Sequence, residues 1–317
     1  MRPGAVRAQG ITIFTWITPR MVARADLHTH TKYSGMSKLG FIRFPDAVSE
    51  PREVIRTAER KGMDIVCITD HDTVRGALLA QAEKSKVEVV VGEEVSTADG
   101  EIVGLFLTEK VPHSLSAEET IDRIHALGGV AIAPHPFSAH CSSVADKLGE
   151  LKLDGVEVFN AFHRDGYAND IAQKMCKDLP LAKTGGSDAH APMMVGDGYT
   201  TFEGTTAEDL RRAILSKKTG FGGTMTSFRD FVWLTTLMTL KLQTTIWASL
   251  VGMEMPDDTR CSREIYEART ITRLLALAGT MVFLAPPVTL AAGVIADKLH
   301  RSRSRLRWKE LVGPDAV

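Results

Sequence analysis

The chain has 317 residues, enough for one large domain with an appendage or for two domains, and its 44% hydrophobic and 24% charged content is that of an ordinary globular protein. A formal net charge of -1 excludes the strongly basic chains that coat nucleic acid and the acidic-tail class. The cysteines, Cys67, Cys141, Cys176 and Cys261, are scattered without Cys-x-x-Cys spacing, which argues against a disulfide framework or zinc ribbon and fits a reduced, cytoplasmic thiol set.

Residues 1–20 carry Arg2 and Arg7 ahead of an apolar run at 11–17. No small-residue cleavage site precedes Met21, itself a sensible start, so this stretch reads as residues upstream of the true start or as a disordered leader, with the folded domain starting at 21. Seven β-type runs follow, at 22–27, 65–69, 88–91, 102–107, 130–133, 155–159 and 181–184. Most are near-continuous Val, Ile, Leu and Ala, the pattern of parallel strands covered on both faces. Helical patterns at 51–61, 74–84, 116–127, 165–177 and 206–216 lie between them. Pro51 suits a first helical position, Ser116 to Glu119 forms a capping-box signature, and Gly62 and Gly128 stand where helix C-caps belong. The alternation predicts a parallel α/β fold. Polar residues gathered at the C-terminal strand ends point to a barrel over 21–222 more than to an open sheet.

Those strand ends carry the chemistry. The first run leads to His28 and His30, which at i and i+2 on an extended segment point to one side and suit a single divalent ion. The second ends in Thr69-Asp70-His71-Asp72 and the third in Gly92-Glu93-Glu94-Val95-Ser96. The fifth ends at Pro134-His135-Pro136, the sixth at Asn160 and the seventh at Gly185-Gly186-Ser187-Asp188-Ala189-His190. Singly, Asp70 reads as a helix cap, Glu94 as a surface acid and His135 as a turn residue. A barrel would bring all of these ends to one mouth, and their joint occurrence favours a metal-cluster enzyme.

The same motifs in this order resemble the polymerase and histidinol phosphatase (PHP) family across residues 23–222. The resemblance implies a distorted seven-stranded, TIM-like barrel and a phosphoesterase site with two or three divalent ions, manganese, zinc or iron, with magnesium allowed. Carried over, one ion would be held by His28, His30, Glu94 and Asp188. Glu94 would bridge to a second ion that also uses His135, and a third would sit between His71 and His190. Two departures stand out. Glu101 occupies the place where the compact phosphatases have His before the fourth strand, and a hard oxygen ligand shifts preference toward manganese or magnesium. Tyr33-Ser34-Gly35 stands where an Asp is expected shortly after His-x-His, and this departure bears on the third ion.

Ions of this kind neutralise phosphoryl oxygens and lower the pKa of a water, which is what phosphate ester cleavage needs at neutral pH. The catalytic candidates are His71, Asp188 and His190; His71 or His190 would protonate the leaving alkoxide if it holds no metal. Asp26 and Asp70 are expected to orient histidine ring N–H groups. Lys32, Arg43, Arg75 and Arg164 are loop cations that read first as solvated surface charges and second as phosphate-holding groups, with Lys32 and Arg75 the candidates for the latter, while His113, His125, His140, His163 and His300 match no motif and read as structural or exposed. The expected substrate is a small phosphomonoester or nucleotide. A 5′-3′ exonuclease on short oligonucleotides and a degenerate module with a binding or assembly role are the alternatives, and the near-zero net charge weighs against long nucleic acid.

The composition changes over 223–317. Residues 231–253 are apolar apart from Lys241, and 274–296 contain no charge and are long enough to cross a bilayer, with Pro286 and Pro287 set to kink them. Lys298, Arg301, Arg303, Arg305, Arg307 and Lys309 follow and would keep that end in the cytoplasm. A helical region results, either attached to a membrane through 231–296 or serving as an oligomerisation cap.

Overall fold

A computed structural model of the protein describes residues 4–8, 11–15, 22–164 and 166–312. The leader expected to be disordered contains a hairpin of β1 (Gly4–Ala8) and antiparallel β2 (Ile11–Thr15); the rest of 1–21 lies outside the described residues. β3 (Val22–Asp26) runs into the His-x-His segment, and a separate hairpin follows, β4 (Met36–Leu39) with β5 (Ile42–Pro45). The remaining strands are β6 (Ile65–Ile68), β7 (Glu88–Ser96), β8 (Glu101–Leu105), β9 (Val130–Ala133), β10 (Gly155–Asn160), β11 (Ala182–Gly186), β12 (Gly198–Glu203) and β13 (Gly220–Gly223). All the runs expected as strands are strands.

The sheet, however, has nine members, in the order β11-β10-β9-β8-β7-β6-β3-β12-β13, and it is mixed, not parallel. β8 is antiparallel to both β7 and β9, and β12 is antiparallel to β3 and β13. The reason at β7–β8 is the length of the connection: residues 97–100 form a tight turn closed by Thr97 N–H donating to Gly100 O at 3.0 Å, far too short for a crossover. β11, at one end of the sheet, meets β12, next to the other end, where Gly185 N–H donates to Thr200 Oγ1 at 2.9 Å, which nearly closes the barrel. A Cβ on Gly198 would lie 2.1 Å from the Gly186 carbonyl oxygen, so this approach depends on glycine.

Helices α1 (Pro51–Arg60), α2 (Arg75–Gln81), α3 (Ala117–Ala126), α4 (Tyr167–Met175) and α5 (Ala207–Leu215) occupy the predicted segments. Pro51 opens α1, the Ser116–Glu119 capping box is formed, and Gly62 and Gly128 take the left-handed φ of 68° and 75° expected after a helix end. Two apolar layers hold the barrel. One joins Val66, Ile68, Val89 and Val91 to α1–α4 through Val54, Ile121, Ile124 and Ile171. The other joins Ile65, Cys67, Val90 and Val103 to Leu210 and Ile214 of α5. With apolar strand bodies filling these layers, the polar groups are left at the strand ends.

The C-terminal region is helical, as expected: α6 (Phe228–Leu250), α7 (Arg260–Glu267), α8 (Thr270–Phe283) and α9 (Pro286–Val312). Leu234 of α6 joins the barrel core, and Leu242, Ile246, Cys261 and Ile265 pack against Met36, Ile42 and Phe44 of the β4–β5 hairpin. Ion pairs fasten the same face. Lys32 Nζ donates to Glu50 at 2.8 Å and Asp257 at 2.6 Å, Arg43 to Glu264 at 3.1 Å, and Arg164 lies 3.2 Å from Asp297. Lys32, Arg43 and Arg164 are therefore tethers, and neither the solvated surface charges nor the phosphate-holding groups considered from the sequence. Among the described residues no single helix is long and apolar enough to cross a membrane. Thr270–Phe283 and 288–306 reach that length only as a pair bent by 88° at the predicted proline break.

Candidate metal centre

The strand ends converge as the sequence requires. His28 and His30 follow β3, His71 follows β6, Glu94 lies near the end of β7, His135 follows β9, and Asp188 and His190 follow β11. Backbone bonds bind these loops together: His30 N–H donates to Ala189 O at 2.9 Å and Asp188 N–H to His28 O at 2.8 Å. Gly186 is required beside them, since a Cβ there would come within 2.6 Å of both His28 Cβ and Glu157 Oε1. His135 and Asp188 hold φ of 27° and 51°, a left-handed conformation that costs non-glycine residues about 1–3 kcal/mol and concentrates at functional sites.

Glu94 is the centre of the cage. Its Oε1 lies 3.0 Å from His135 Nε2, and its Oε2 lies 3.2 Å from His28 Nε2, 3.4 Å from His30 Nε2 and 3.4 Å from His71 Nδ1. Asp188 Oδ1 reaches His30 Nε2 at 3.3 Å and His28 Nε2 at 3.7 Å. His28, His30 and Asp188 form one ligand-capable focus and His28, Glu94 and His135 a second, whereas the resemblance placed Glu94 at the first ion as well and gave His28 to the first alone. Glu101 lies 3.9 Å from both His71 Nδ1 and His135 Nε2, close enough to serve the second focus or the rim.

The third focus has the carboxylate that the sequence pattern lacked. Asp46 Oδ2 lies 3.3 Å from His190 Nε2 and 3.7 Å from His71 Nε2, and His30, Asp46, His71 and His190 form one ligand-capable group. The β4–β5 hairpin separates Asp46 from His30 in sequence and brings it back in space. Ser34, in the stretch where an Asp was expected, accepts from His30 Nδ1 at 3.0 Å and from His71 N–H at 3.1 Å, and donates to Asp46 at 3.4 Å.

The residues that fix the rings also differ from expectation. Glu157, in the body of β10, accepts from His28 Nδ1 at 3.3 Å, from His135 N–H at 2.8 Å and from Asn160 Nδ2 at 3.0 Å. His190 Nδ1 donates to the Asp188 carbonyl at 2.9 Å, which leaves its Nε2 for the third focus. Asp26 and Asp70 make no hydrogen bond to a histidine ring among the described residues. Asp26 accepts from the backbone N–H groups of His28, Ser187 and Gly196 and from the Ser187 hydroxyl, and Asp70 accepts from Thr31 N–H and Oγ1. Both brace the loops that carry the ligands. His163, read from the sequence as structural or exposed, is buried with its ring centroid 5.7 Å from that of His135, and it groups with Cys141 and His135. The side chain of His300 lies outside the described residues.

Arg75 is the one predicted phosphate cation that faces the site. A cleft of about 390 Å³ opens beside His71 and is lined by Tyr33, Asp72, Arg75 and Lys110. His113, expected to be structural or exposed, lines the same cleft.

Electrostatically the cage requires positive charge. Burial alone would raise Asp188 and Glu94, but their imidazole neighbours, His28, His30 and His190 about Asp188 and His71, His28 and His135 about Glu94, hold both well below the usual carboxylate range. Against burial, Asp188, Glu94 and Glu157 push His28 well up, Glu94 raises His135 to about 9, and Asp46 raises His190 to about 9. His30 falls to about 4 because it is buried beside His190. Burial, then the Glu94 charge, raise Glu101 to about 7. Protons on imidazole balance the buried carboxylates, and divalent cations would replace those protons. The buried His30 Nε2 and Glu101 Oε2 make no hydrogen bond among the described residues, which fits atoms reserved for a cation. This mixed nitrogen and oxygen donor set suits divalent metal ions.

Comparison with known proteins agrees with the cage. The PHP domain family matches residues 26–124, and the PHP-associated family matches 166–219. Uncharacterized protein MJ1587 of Methanocaldococcus jannaschii is 52% identical over 160 residues, which are 50% of this chain and 94% of that one. Uncharacterized protein MJ0417 of the same organism is 35% identical over 120 residues, 36% of this chain and 51% of that one. In three dimensions the chain is similar to a two-domain protein from Bacteroides vulgatus described as containing a predicted PHP-like metal-dependent phosphoesterase. The TM-score is 0.53 at 19% identity, over 65% of this chain and 66% of that one, a likeness of fold. On these matches and on the ligand cage, the chain belongs to the PHP family.

Proposed function

We propose that this protein is a metal-dependent phosphoesterase that hydrolyses a small phosphomonoester or nucleotide-type substrate. The observation that carries the reading is Glu94, a single buried carboxylate within 3.0–3.4 Å of ring nitrogens from His28, His30, His71 and His135. When bound, two or three divalent ions would supply Lewis acidity toward phosphoryl oxygens and an activated water. The chain's part is to hold that charge in a fixed, nearly dry cage. Glu157, Ser34 and the Asp188 carbonyl fix ring orientations, and Asp26 and Asp70 fix the loops. His71 and His190 both face Asp46, which supports a ligand role for them over a free general acid. The convergence of His28, His30, Glu94, His135 and Asp188 speaks against a degenerate module. The absence of any disulfide among four free cysteines supports a cytoplasmic setting.

The test is metal content with phosphate release from a generic phosphomonoester, on the full chain and on His28→Ala/Asp188→Ala. Two or three equivalents of metal, with turnover lost in the variant and on chelation, are the expected result. Less than one equivalent and no turnover with any divalent ion would overturn the reading.

A further inference from the structure

Helices α8 and α9 are inside out. A helix docked on a core in water turns its large apolar side chains to the protein and its polar ones to solvent. In α8 the buried face carries Ala276 and Thr280, while Ile271, Leu274, Leu275, Met281 and Val282 are 47–63% exposed. Those five stand at i, i+3, i+4, i+10 and i+11, a single stripe along the helix. α9 repeats the inversion. Thr289, Gly293 and Ser304 are buried, while Val288, Val294, Ile295 and Leu299 are 39–58% exposed.

The inner faces are built for close approach. A Cβ on Gly293 would lie 3.2 Å from the Val232 side chain of α6, and Gln243 of α6 donates to the Thr280 hydroxyl at 3.3 Å. Small residues and hydroxyls between helices, with large apolar residues outside, are the packing used where the surroundings are lipid. α6 adds Trp233 and Trp247, 53% and 60% exposed, a side chain enriched where water meets hydrocarbon. Single exposed apolar residues are ordinary, but stripes running along two consecutive helices mark a surface that something covers.

Charge selects what covers it. No charged residue stands between Arg273 and Asp297. Lys298, Arg301 and Arg305 then follow Val294 at i+4, i+7 and i+11, continuing its side of the helix, and with Arg303 and Lys309 they are exposed. Of these five, only Arg301 makes an ion pair among the described residues, with Asp297 at 2.9 Å. A second copy of the chain offers these cations little, because Asp297 and Glu310 are the only acids over 270–312 and Asp297 already meets Arg164 at 3.2 Å. An anionic phospholipid surface offers both halves of the match, phosphates for the cations and hydrocarbon for the stripes. The 14 residues of α8 reach about 21 Å against a hydrocarbon core of about 30 Å, α9 turns basic after Ala296, and the 88° bend keeps the two from stacking end to end. That shape suits lying on a bilayer.

We propose that the outer face of α8 and α9 docks on an anionic phospholipid bilayer, with the apolar stripes in the headgroup boundary and the α9 cations on lipid phosphates. The inference is independent of the phosphoesterase reading.

The test is flotation of the full chain through a density gradient with vesicles of phosphatidylcholine alone, or of phosphatidylcholine and phosphatidylserine in equal parts. Aggregates sediment and do not mimic binding. Binding to the mixed vesicles is expected to be at least tenfold stronger and to weaken as salt is raised. Arg303→Gln/Arg305→Gln should remove most of that preference, and Ile271→Ser/Leu275→Ser should lower binding to the mixed vesicles at least tenfold. All four positions are exposed, so the fold tolerates the changes, with circular dichroism as the check. Equal binding to the two vesicles, no flotation with either, or wild-type flotation of both variants overturns the proposal. Self-association of a chain that does not float, lost in the serine variant on sedimentation equilibrium, overturns it too and assigns the face to a second copy.

Discussion

Glu157→Gln changes the cage with almost no change of volume. Glu157 accepts from three donors: the His28 ring at 3.3 Å on Oε1, and His135 N–H at 2.8 Å and Asn160 Nδ2 at 3.0 Å on Oε2. Glutamine offers one acceptor oxygen and one NH2 group. With its oxygen toward His135 and Asn160, its NH2 faces His28 Nδ1. His28 is then driven to the tautomer that carries its proton on Nε2, the nitrogen 3.2 Å from Glu94 and 3.7 Å from Asp188. A protonated Nε2 cannot ligate a metal. With the amide turned the other way, the donors from His135 and Asn160 lose their acceptor, at about 1–3 kcal/mol each. Either orientation weakens the cage, and loss of such a supporting partner costs roughly 10–100-fold in metal affinity, about 1.4–2.7 kcal/mol. The assay is calorimetric titration of manganese into the chelated variant, with circular dichroism to confirm the fold. Wild-type affinity in a folded Glu157→Gln protein would refute the tautomer argument.

Asp46→Asn is expected to lower metal content by one equivalent after dialysis and to leave the Glu94-centred ions in place; elemental analysis showing a full complement would remove Asp46 from the ligand set. In the chelated protein, burial raises Asp26 from 3.8 to about 6, so between about pH 4 and 6 the folded form keeps a proton that the unfolded chain has released. The contribution of this group is therefore greatest below about pH 4 and declines by about 3 kcal/mol as the pH rises to 6. Asp26→Asn should remove that decline from urea-unfolding free energies measured across the window, and an unchanged slope would contradict it. Asp257→Ala removes the closer partner of half-buried Lys32, which keeps Glu50 at 2.8 Å, and loss of such a charged hydrogen bond costs about 1–2 kcal/mol. The expected signs are a lower urea midpoint and faster proteolysis within 223–317; resistance equal to wild type would mean that the tether contributes little.

The sequence reveals the ligands that sit in motifs and hides those that do not. His28, Glu94, His135 and Asp188 are legible because each follows an apolar run whose end the barrel must bring to one mouth. Asp46 is not legible, because a hairpin intervenes and the local stretch shows Tyr33-Ser34-Gly35 instead. Glu157 left a signal, a carboxylate inside an otherwise apolar β10, where only a partnered charge is tolerated. The missed strands β12 and β13 are a partly exposed Gly-Tyr-Thr-Thr-Phe-Glu run and a glycine-rich Gly-Phe-Gly-Gly run, neither with the continuous apolar pattern of the others. Lys32 and Arg75 look alike in sequence, yet acids from the appendage turn one into a tether and the other into a cleft wall. That difference comes from Asp257 and Asp258, adjacent residues whose side chains reach opposite neighbours. Local pattern cannot anticipate it, because the partner of each cation is set by how the appendage docks. The same dependence gives Arg260 and Arg263 their meaning: on an isolated helix they are solvated charges, and opposite Arg75 beside a metal cage they become a wall of the cleft.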